Sequence, residues 1–254
     1  MKENLVKRKL RNGEPVFGVI APNSDPVIAE VIGHLGFDFY MMDGEHGAIG
    51  AGQAQEIVRA CEATGITPLA RVRSSDMKLI LQFLDAGVMG VMMPGLMNAR
   101  DVRAFVEAVK YPPLGRRGLG PIRAADYMMG PMPQEEYITF SNDQTLVLPQ
   151  FEDVQALESL GEMVQVEGVD AFVVGPRDLA MSMGFYDGPG HPEVREVIDQ
   201  VFDIVLGAGL DLGTVAGTGD AAKALVERGA RMCINSVANL IKSSAKPFLE
   251  QARS

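Results

Sequence analysis

The chain has 254 residues, 47% hydrophobic and 22% charged, with a formal net charge of −10. That length suits one α/β domain with a large core, and the acidic balance argues against a uniformly basic nucleic-acid surface. Cys61 and Cys233 lie far apart and form no CxxC pair, so two free buried thiols in a reducing cytosol are expected rather than a disulfide framework. No run reaches about 18 uninterrupted apolar residues, so no membrane span is expected, and the charged N-terminal stretch leads into no apolar run of the signal-peptide kind.

Residues 4–11 read as a short helix closed by the turn Asn12-Gly13. Residues 16–21 are the first strand, 22–26 a loop, 26–36 a helix and 37–42 the second strand. Helical spacing of Ala54, Ile57, Val58 and Cys61 marks 51–64, and Gly65 ends it. Residues 67–73 are the third strand. Asp76 opens a helix to about Ala86, and 88–94 is the fourth strand. Asn98 opens a helix ending near Val109. Residues 111–141 then break the rhythm and are expected to form a long functional or disordered loop, because Pro and Gly crowd its first half. The rhythm resumes with a strand at 145–152, a helix at 153–166, a strand at 169–174, a helix at 192–208, a strand at 210–216, a helix at 219–228, a strand at 231–235 and a helix at 238–252.

Eight continuously apolar strands alternating with helices predict a single (β/α)8 barrel spanning 1–254, with a doubly wound open sheet as the other arrangement. No GxGxxG follows the first strand and no GxxxxGK[ST] occurs, so nucleotide sites of those kinds are unsupported.

In such a barrel, chemistry sits at the C-terminal ends of the strands. The second strand ends in Asp43, Glu45 and His46, the third in Arg71 and Arg73, the fifth in Gln150 and Glu152, and the sixth in the turn Gly175-Pro176-Arg177-Asp178. Glu152 and Asp178 are the carboxylates chosen as ligands for a hard divalent ion such as Mg²⁺ or Mn²⁺; a surface Glu and a helix-capping Asp are the alternative. Arg71, at the end of an apolar strand, needs a partner; it is either an oxyanion clamp or half of an ion pair with Asp43 or Asp85. His46 suits acid–base work with Asp43 orienting it, or is a loop residue without a role. His34 and His191 have no partner nearby in the sequence. The backbone of Gly175-Pro-Arg-Asp-Leu179 offers N–H groups for a carboxylate or phosphate.

Taken together, Asp43-Gly-Glu-His46, Arg71, Leu84-Asp-Ala-Gly87, Tyr111-Pro-Pro-Leu-Gly-Arg-Arg-Gly118, Gln150-Phe-Glu152, Val166-Glu-Gly-Val-Asp170, Gly175-Pro-Arg-Asp-Leu179 and His191-Pro-Glu-Val194 give a chain that resembles the HpcH/HpaI class II aldolases, relatives of the citrate lyase β-subunit. The resemblance covers nearly the whole length. It implies a phosphoenolpyruvate/pyruvate-type barrel and a divalent metal (Mg²⁺ or Mn²⁺, with Co²⁺ a further candidate) held by Glu152 and Asp178. It implies a small 2-oxo acid substrate cleaved to pyruvate and an aldehyde, with no nucleic acid or membrane partner. Arg71 is implied to touch the keto oxygen, His46 with Asp43 to join in proton transfer, Gln150 to lie near the metal's waters, Gly175, Pro176 and Arg177 to line the substrate, and Glu45 to be in support. Asp85 is implied to support the site or a subunit contact. The resemblance also implies a cytoplasmic homohexamer, a trimer of dimers, whose last helix packs on a neighbour. The absence of an obvious Schiff-base Lys agrees with a class II mechanism.

The departures from the family pattern are Gly95 and Met97, where relatives often carry bulkier or more polar residues, the segment Gly120–Tyr127, and Asn235-Ser-Val-Ala. All three are expected to shape the aldehyde pocket. The same site also accommodates decarboxylase or lyase chemistry on an oxaloacetate-like acid. A catalytically silent barrel used in assembly is the non-enzymatic alternative.

Overall fold

A strand whose two faces are both covered can be apolar at every position, and the strands of this chain are covered by helices outside and by each other's side chains inside. The computed structural model describes residues 2–23 and 25–254; Met1, and Ser24 of the expected 22–26 loop, lie outside that set. The strands are β1 (Val16–Ala21), β2 (Phe39–Asp43), β3 (Thr67–Arg71), β4 (Gly90–Met93), β5 (Leu146–Phe151), β6 (Ala171–Val174), β7 (Asp211–Val215) and β8 (Met232–Ser236). Each pairs in parallel with the next, and β8 pairs with β1, so the sheet closes into a barrel. The expected (β/α)8 architecture is therefore present, and the open sheet is excluded.

Eleven helices accompany the strands among the described residues: α1 (Leu5–Arg11), α2 (Pro26–His34), α3 (Ala51–Thr64), α4 (Met77–Ala86), α5 (Ala99–Val109), α6 (Gln134–Gln144), α7 (Leu157–Met163), α8 (Pro176–Ser182), α9 (Pro192–Gly207), α10 (Gly219–Glu227) and α11 (Val237–Arg253). Their starts follow local chemistry. Asp76 accepts the N–H groups of Lys78 at 2.7 Å and Leu79 at 3.2 Å, which opens α4. Asn98 opens α5 in the same way.

Strand alternation divides the core in two. Phe39, Met41, Leu69, Met92, Leu146, Leu148, Ala171, Val173, Met232 and Ile234 fill the barrel, and Val6 and Leu10 of α1 pack with them and plug its floor. The other parity, including Tyr40, Met42, Ala70, Val91, Val147 and Phe172, packs outward against the helices. Continuing the inward parity by one step reaches Asp43, Arg71 and Gln150, so the barrel core changes from hydrocarbon to charge at its top layer.

Asn4 locks the plug in place. Its Oδ1 accepts the N–H of Lys7 at 3.0 Å, and its Nδ2 donates to the carbonyls of Met89 and Gln144, each at 2.9 Å. Asn4 is fully buried. Asn4→Ala should therefore cost about 2–3 kcal/mol, the loss of a cap plus two stranded carbonyls, read as a lower urea midpoint with unchanged slope.

The stretch 111–141 is not one loop. It contains a 3₁₀ turn, Arg123–Met128, and the helix α6. α6 escaped sequence reading because only Tyr137, Ser141 and Gln144 are buried along it, which leaves no apolar periodicity. The segment lies at the floor. Arg117 meets Asp85 at 3.1 Å, and Arg123 pairs with Glu62 and donates to the carbonyl of Ala86, which ends α4 below the start of β4. Two expectations are corrected. Within the chain, Gly120–Tyr127 does not shape a pocket at the barrel mouth, and Asp85 does not support the mouth or pair with Arg71; it partners Arg117 at the opposite end. The helix expected at 153–166 is shorter, a 3₁₀ turn (Val154–Ala156) followed by α7.

Along α11 only Val237 is buried, and Ile241, Phe248 and Leu249 are exposed. Among the described residues no helix is long and apolar enough to cross a membrane.

Candidate active site

Asp43 and Arg71 end adjacent strands as direct partners in the β2–β3 register. Arg71 Nε donates to Asp43 Oδ1 at 3.0 Å and Nη2 to Oδ2 at 2.6 Å, a two-pronged fork. The residues are 8% and 5% exposed, so the pair is held out of water. Asp43 Oδ1 also accepts the backbone N–H groups of Glu45 and His46, each at 3.2 Å. This turn needs glycine at position 44: Gly44 donates its N–H to the Arg71 carbonyl at 2.8 Å, and a Cβ there would come within 2.9 Å of that same oxygen.

Burial opposes ionisation of Asp43, but Arg71's hydrogen bonds and charge, with the two backbone N–H groups, outweigh it and hold the carboxyl below its ordinary value. Arg71 is raised in turn: its partners' carboxylates outweigh the burial that would lower it. A second carboxylate, Glu45, lies 3.1 Å from Arg71 Nη1 as a contact of charges, and among the described residues its buried Oε2 accepts no directed hydrogen bond. His46 is displaced from its expected partner. Asp43 holds only the His46 backbone; the imidazole is 60% exposed, with Nε2 3.9 Å from Glu45 Oε2. Any orientation of the ring within this chain comes from Glu45, not Asp43.

Across the mouth, β5 supplies Gln150, 2% exposed, and Glu152 follows it. Gln150 Nε2 donates to Glu152 Oε2 in a very short contact, while Gln150 Oε1 is buried without a hydrogen-bond partner among the described residues. Glu152 Oε1 accepts the N–H of Gly95, just past β4, at 3.0 Å. Gly175 leaves room beside this pair. A Cβ there would lie 2.7 Å from Gln150 Nε2 and 3.3 Å from Glu152 Oε2. Pro176 starts α8, and Asp178 sits in its first turn. Burial, then the charges of Glu45 and Asp178, push the Glu152 carboxyl up to about 7, against the N–H of Gly95 and the charge of Arg71.

The barrel thus brings Asp43, Glu45, Arg71, Gln150, Glu152, Gly175, Pro176 and Asp178 to one mouth. Arg177, although in the same turn, is exposed, as is Arg73 beyond the end of β3. His34 is exposed at the end of α2, and His191 stacks on Phe185 with ring centroids 3.8 Å apart. Among the described residues no group of three or more His, Cys, Asp and Glu is arranged to hold a metal, which leaves Glu152 and Asp178 as a two-carboxylate candidate. Gly95, noted in the sequence only as a departure, was findable by the strand-end rule that selected the others. A cavity of about 610 Å³ opens at the floor, lined by Arg59, Glu62, Arg117, Arg123 and Tyr137 among others. It is remote from this cluster, and Arg59, Glu62, Arg117 and Arg123 are already paired.

The HpcH/HpaI aldolase/citrate lyase model matches residues 17–239. The chain belongs to the HpcH/HpaI aldolase/citrate lyase family. Among HpcH/HpaI relatives, a 4-hydroxy-2-oxo-heptane-1,7-dioate aldolase from Shigella sonnei is 34% identical over 90% of this chain and 86% of its own length. A 2-keto-3-deoxy-L-rhamnonate aldolase from Escherichia coli is 32% identical over 95% of this chain and 90% of its own. The crystal structure of an HpcH/HpaI aldolase from Desulfitobacterium hafniense superimposes with a TM-score of 0.93 at 28% identity, covering 100% of this chain and 98% of that one.

Proposed function

We propose that the chain is a metal-dependent class II aldolase that reversibly cleaves a 4-hydroxy-2-oxo acid to pyruvate and an aldehyde. The observation that carries this is the pairing, in one barrel mouth, of a buried Asp43–Arg71 fork with the carboxylate group of Glu45, Glu152 and Asp178. Aldolase relatives at about a third identity support the reaction class.

The residues fit a hard divalent cation. Burial, and then repulsion from Glu45 and Asp178, push Glu152 up to about 7, so a positive charge is favoured beside it, and the orphaned Gln150 Oε1 is a buried acceptor suited to an ordered ligand water. Glu152 and Asp178 are the ligands in this reading. When bound, Mg²⁺ or Mn²⁺ polarises the substrate's 2-oxo group and lowers the energy of negative charge on its oxygen.

The chain's own groups do the rest. Arg71, fixed by Asp43, turns its remaining N–H donors toward the same oxygen and stabilises the charge that develops there. The backbone N–H groups opening α8 receive the substrate carboxylate. Cleavage breaks the C3–C4 bond: the C4 hydroxyl loses its proton as the C4 carbonyl forms, and the bonding electrons pass into an enolate over C2 and C3. In this reading His46, at the rim and beside Glu45, takes that proton and returns it to C3 to give pyruvate. The exposed Ile241, Phe248 and Leu249 of α11 support packing of that helix on a neighbouring copy.

The test is pyruvate release from a panel of 4-hydroxy-2-oxo acids carrying acidic and sugar-derived aldehyde halves, assayed with Mn²⁺. Release from at least one member is expected. Silence across the panel, with decarboxylation of an oxaloacetate-like acid instead, would replace the aldolase reading with lyase chemistry at the same site.

A further inference from the structure

Among the described residues no side chain on a neighbouring strand hydrogen-bonds to Glu152. One of its oxygens meets Gln150, two residues earlier at the end of β5, and the other meets the backbone N–H of Gly95 at 3.0 Å. Gly95 belongs to the connection after β4, the strand next to β5. Gly95 makes this bond from φ +68°, the left-handed region that residues with a Cβ rarely occupy. Space is not the constraint: a Cβ at Gly95 would meet nothing within 4 Å.

We propose that Gly95 is a positioning residue for the metal site: its left-handed backbone aims an N–H at Glu152 and holds the carboxylate in the geometry that receives a divalent cation. This rests on reading Glu152 as a ligand and adds what orients it. The N–H donates to one oxygen, Oε1, and thereby fixes the rotation of the carboxylate. A side chain at 95 disturbs that bond by shifting φ to negative values and turning the N–H away, not by collision. Asn, which enters the left-handed region more readily than other non-glycine residues, should largely preserve it. This also gives a physical meaning to the departure at position 95: the residue contributes an amide direction and no side chain.

The experiment is calorimetric titration of Mn²⁺ into metal-free wild type, Gly95→Ala and Gly95→Asn, with metal-free melting curves to show that each is folded. Loss of a group that orients a ligand should weaken Gly95→Ala by roughly 10-fold or more, with Gly95→Asn within about 3-fold of wild type. An Ala variant that binds Mn²⁺ like wild type would overturn the inference and leave the metal reading intact. Equal weakening of Ala and Asn would also overturn it, since the position would then require an absent side chain and not a left-handed amide. A wild type with no Mn²⁺ isotherm would overturn the ligand reading of Glu152, and this inference with it.

Discussion

Arg71→Ala should lower pyruvate release by about 10²- to 10³-fold, the usual cost of one oxyanion donor, and should also destabilise the barrel by about 3–5 kcal/mol. The second effect arises because Asp43, 5% exposed, would be left as a buried carboxylate without its cation. Its two backbone donors, at 3.2 Å, cannot replace a fork at 2.6 and 3.0 Å. The double variant Asp43→Asn/Arg71→Met removes both charges, so it should recover most of the stability while remaining inactive. Urea denaturation and a coupled pyruvate assay on the same preparations separate the two effects.

The pH dependence follows from the direction of the Asp43 shift. Its folded carboxyl lies below the ordinary value of 3.8, so its contribution is complete above that value and is lost as the pH falls through the folded one. Wild type should therefore lose stability on acidification below about pH 4, where Arg71→Ala loses less. Unchanged turnover in Arg71→Ala would remove the arginine from the chemistry; unchanged stability would contradict the buried pair.

Chelation with EDTA should abolish turnover, and Glu152→Gln or Asp178→Asn should leave no activity that added Mn²⁺ restores. Mn²⁺ at about 100 times its dissociation constant should stabilise wild type by about 2.7 kcal/mol and leave Glu152→Gln nearly unmoved. Here too the pH sign is fixed. The Glu152 carboxyl is raised from 4.5 to about 7 in the metal-free protein, by burial first and then by its carboxylate neighbours. Its folded value exceeds its unfolded one, so the metal-free fold favours the protonated form, and that advantage is lost as the pH rises from about 4.5 to about 7. Metal must displace this proton. Affinity should therefore climb about tenfold per pH unit below 7 and level off above it. Melting curves with Mn²⁺ and with EDTA at pH 6 and pH 8 check both statements; a stabilisation by Mn²⁺ that is equal at the two pH values would contradict them.

Much of this site was legible in the chain. The rule that strands of a parallel barrel carry chemistry at their C-terminal ends selects Asp43, Glu45, His46, Arg71, Gln150, Glu152 and Asp178 from the sequence alone. Period-two alternation makes the barrel-filling parity of Phe39 and Met41 continue to Asp43, and that of Leu69 continue to Arg71. Partner choice was not legible. Asp43 is three residues from His46 and 28 from Arg71, so sequence proximity favoured the histidine. The β2–β3 register places the arginine directly opposite and gives it the carboxylate. Asp85 misled for a related reason: it lies on a helix end that the barrel turns toward the floor.

By itself, then, the stretch 37–46 determined a buried strand that becomes polar at its end, and the sequence as a whole determined eight such strands and the residue types at their tips. These are local properties, set by periodicity and by the side chains themselves. Only the tertiary structure decided that Asp43 serves Arg71, that Glu45 stands between Arg71 and His46, and that a backbone amide at Gly95 steadies Glu152. Those pairings depend on strand register and backbone direction across the closed sheet, which no single stretch of the chain encodes.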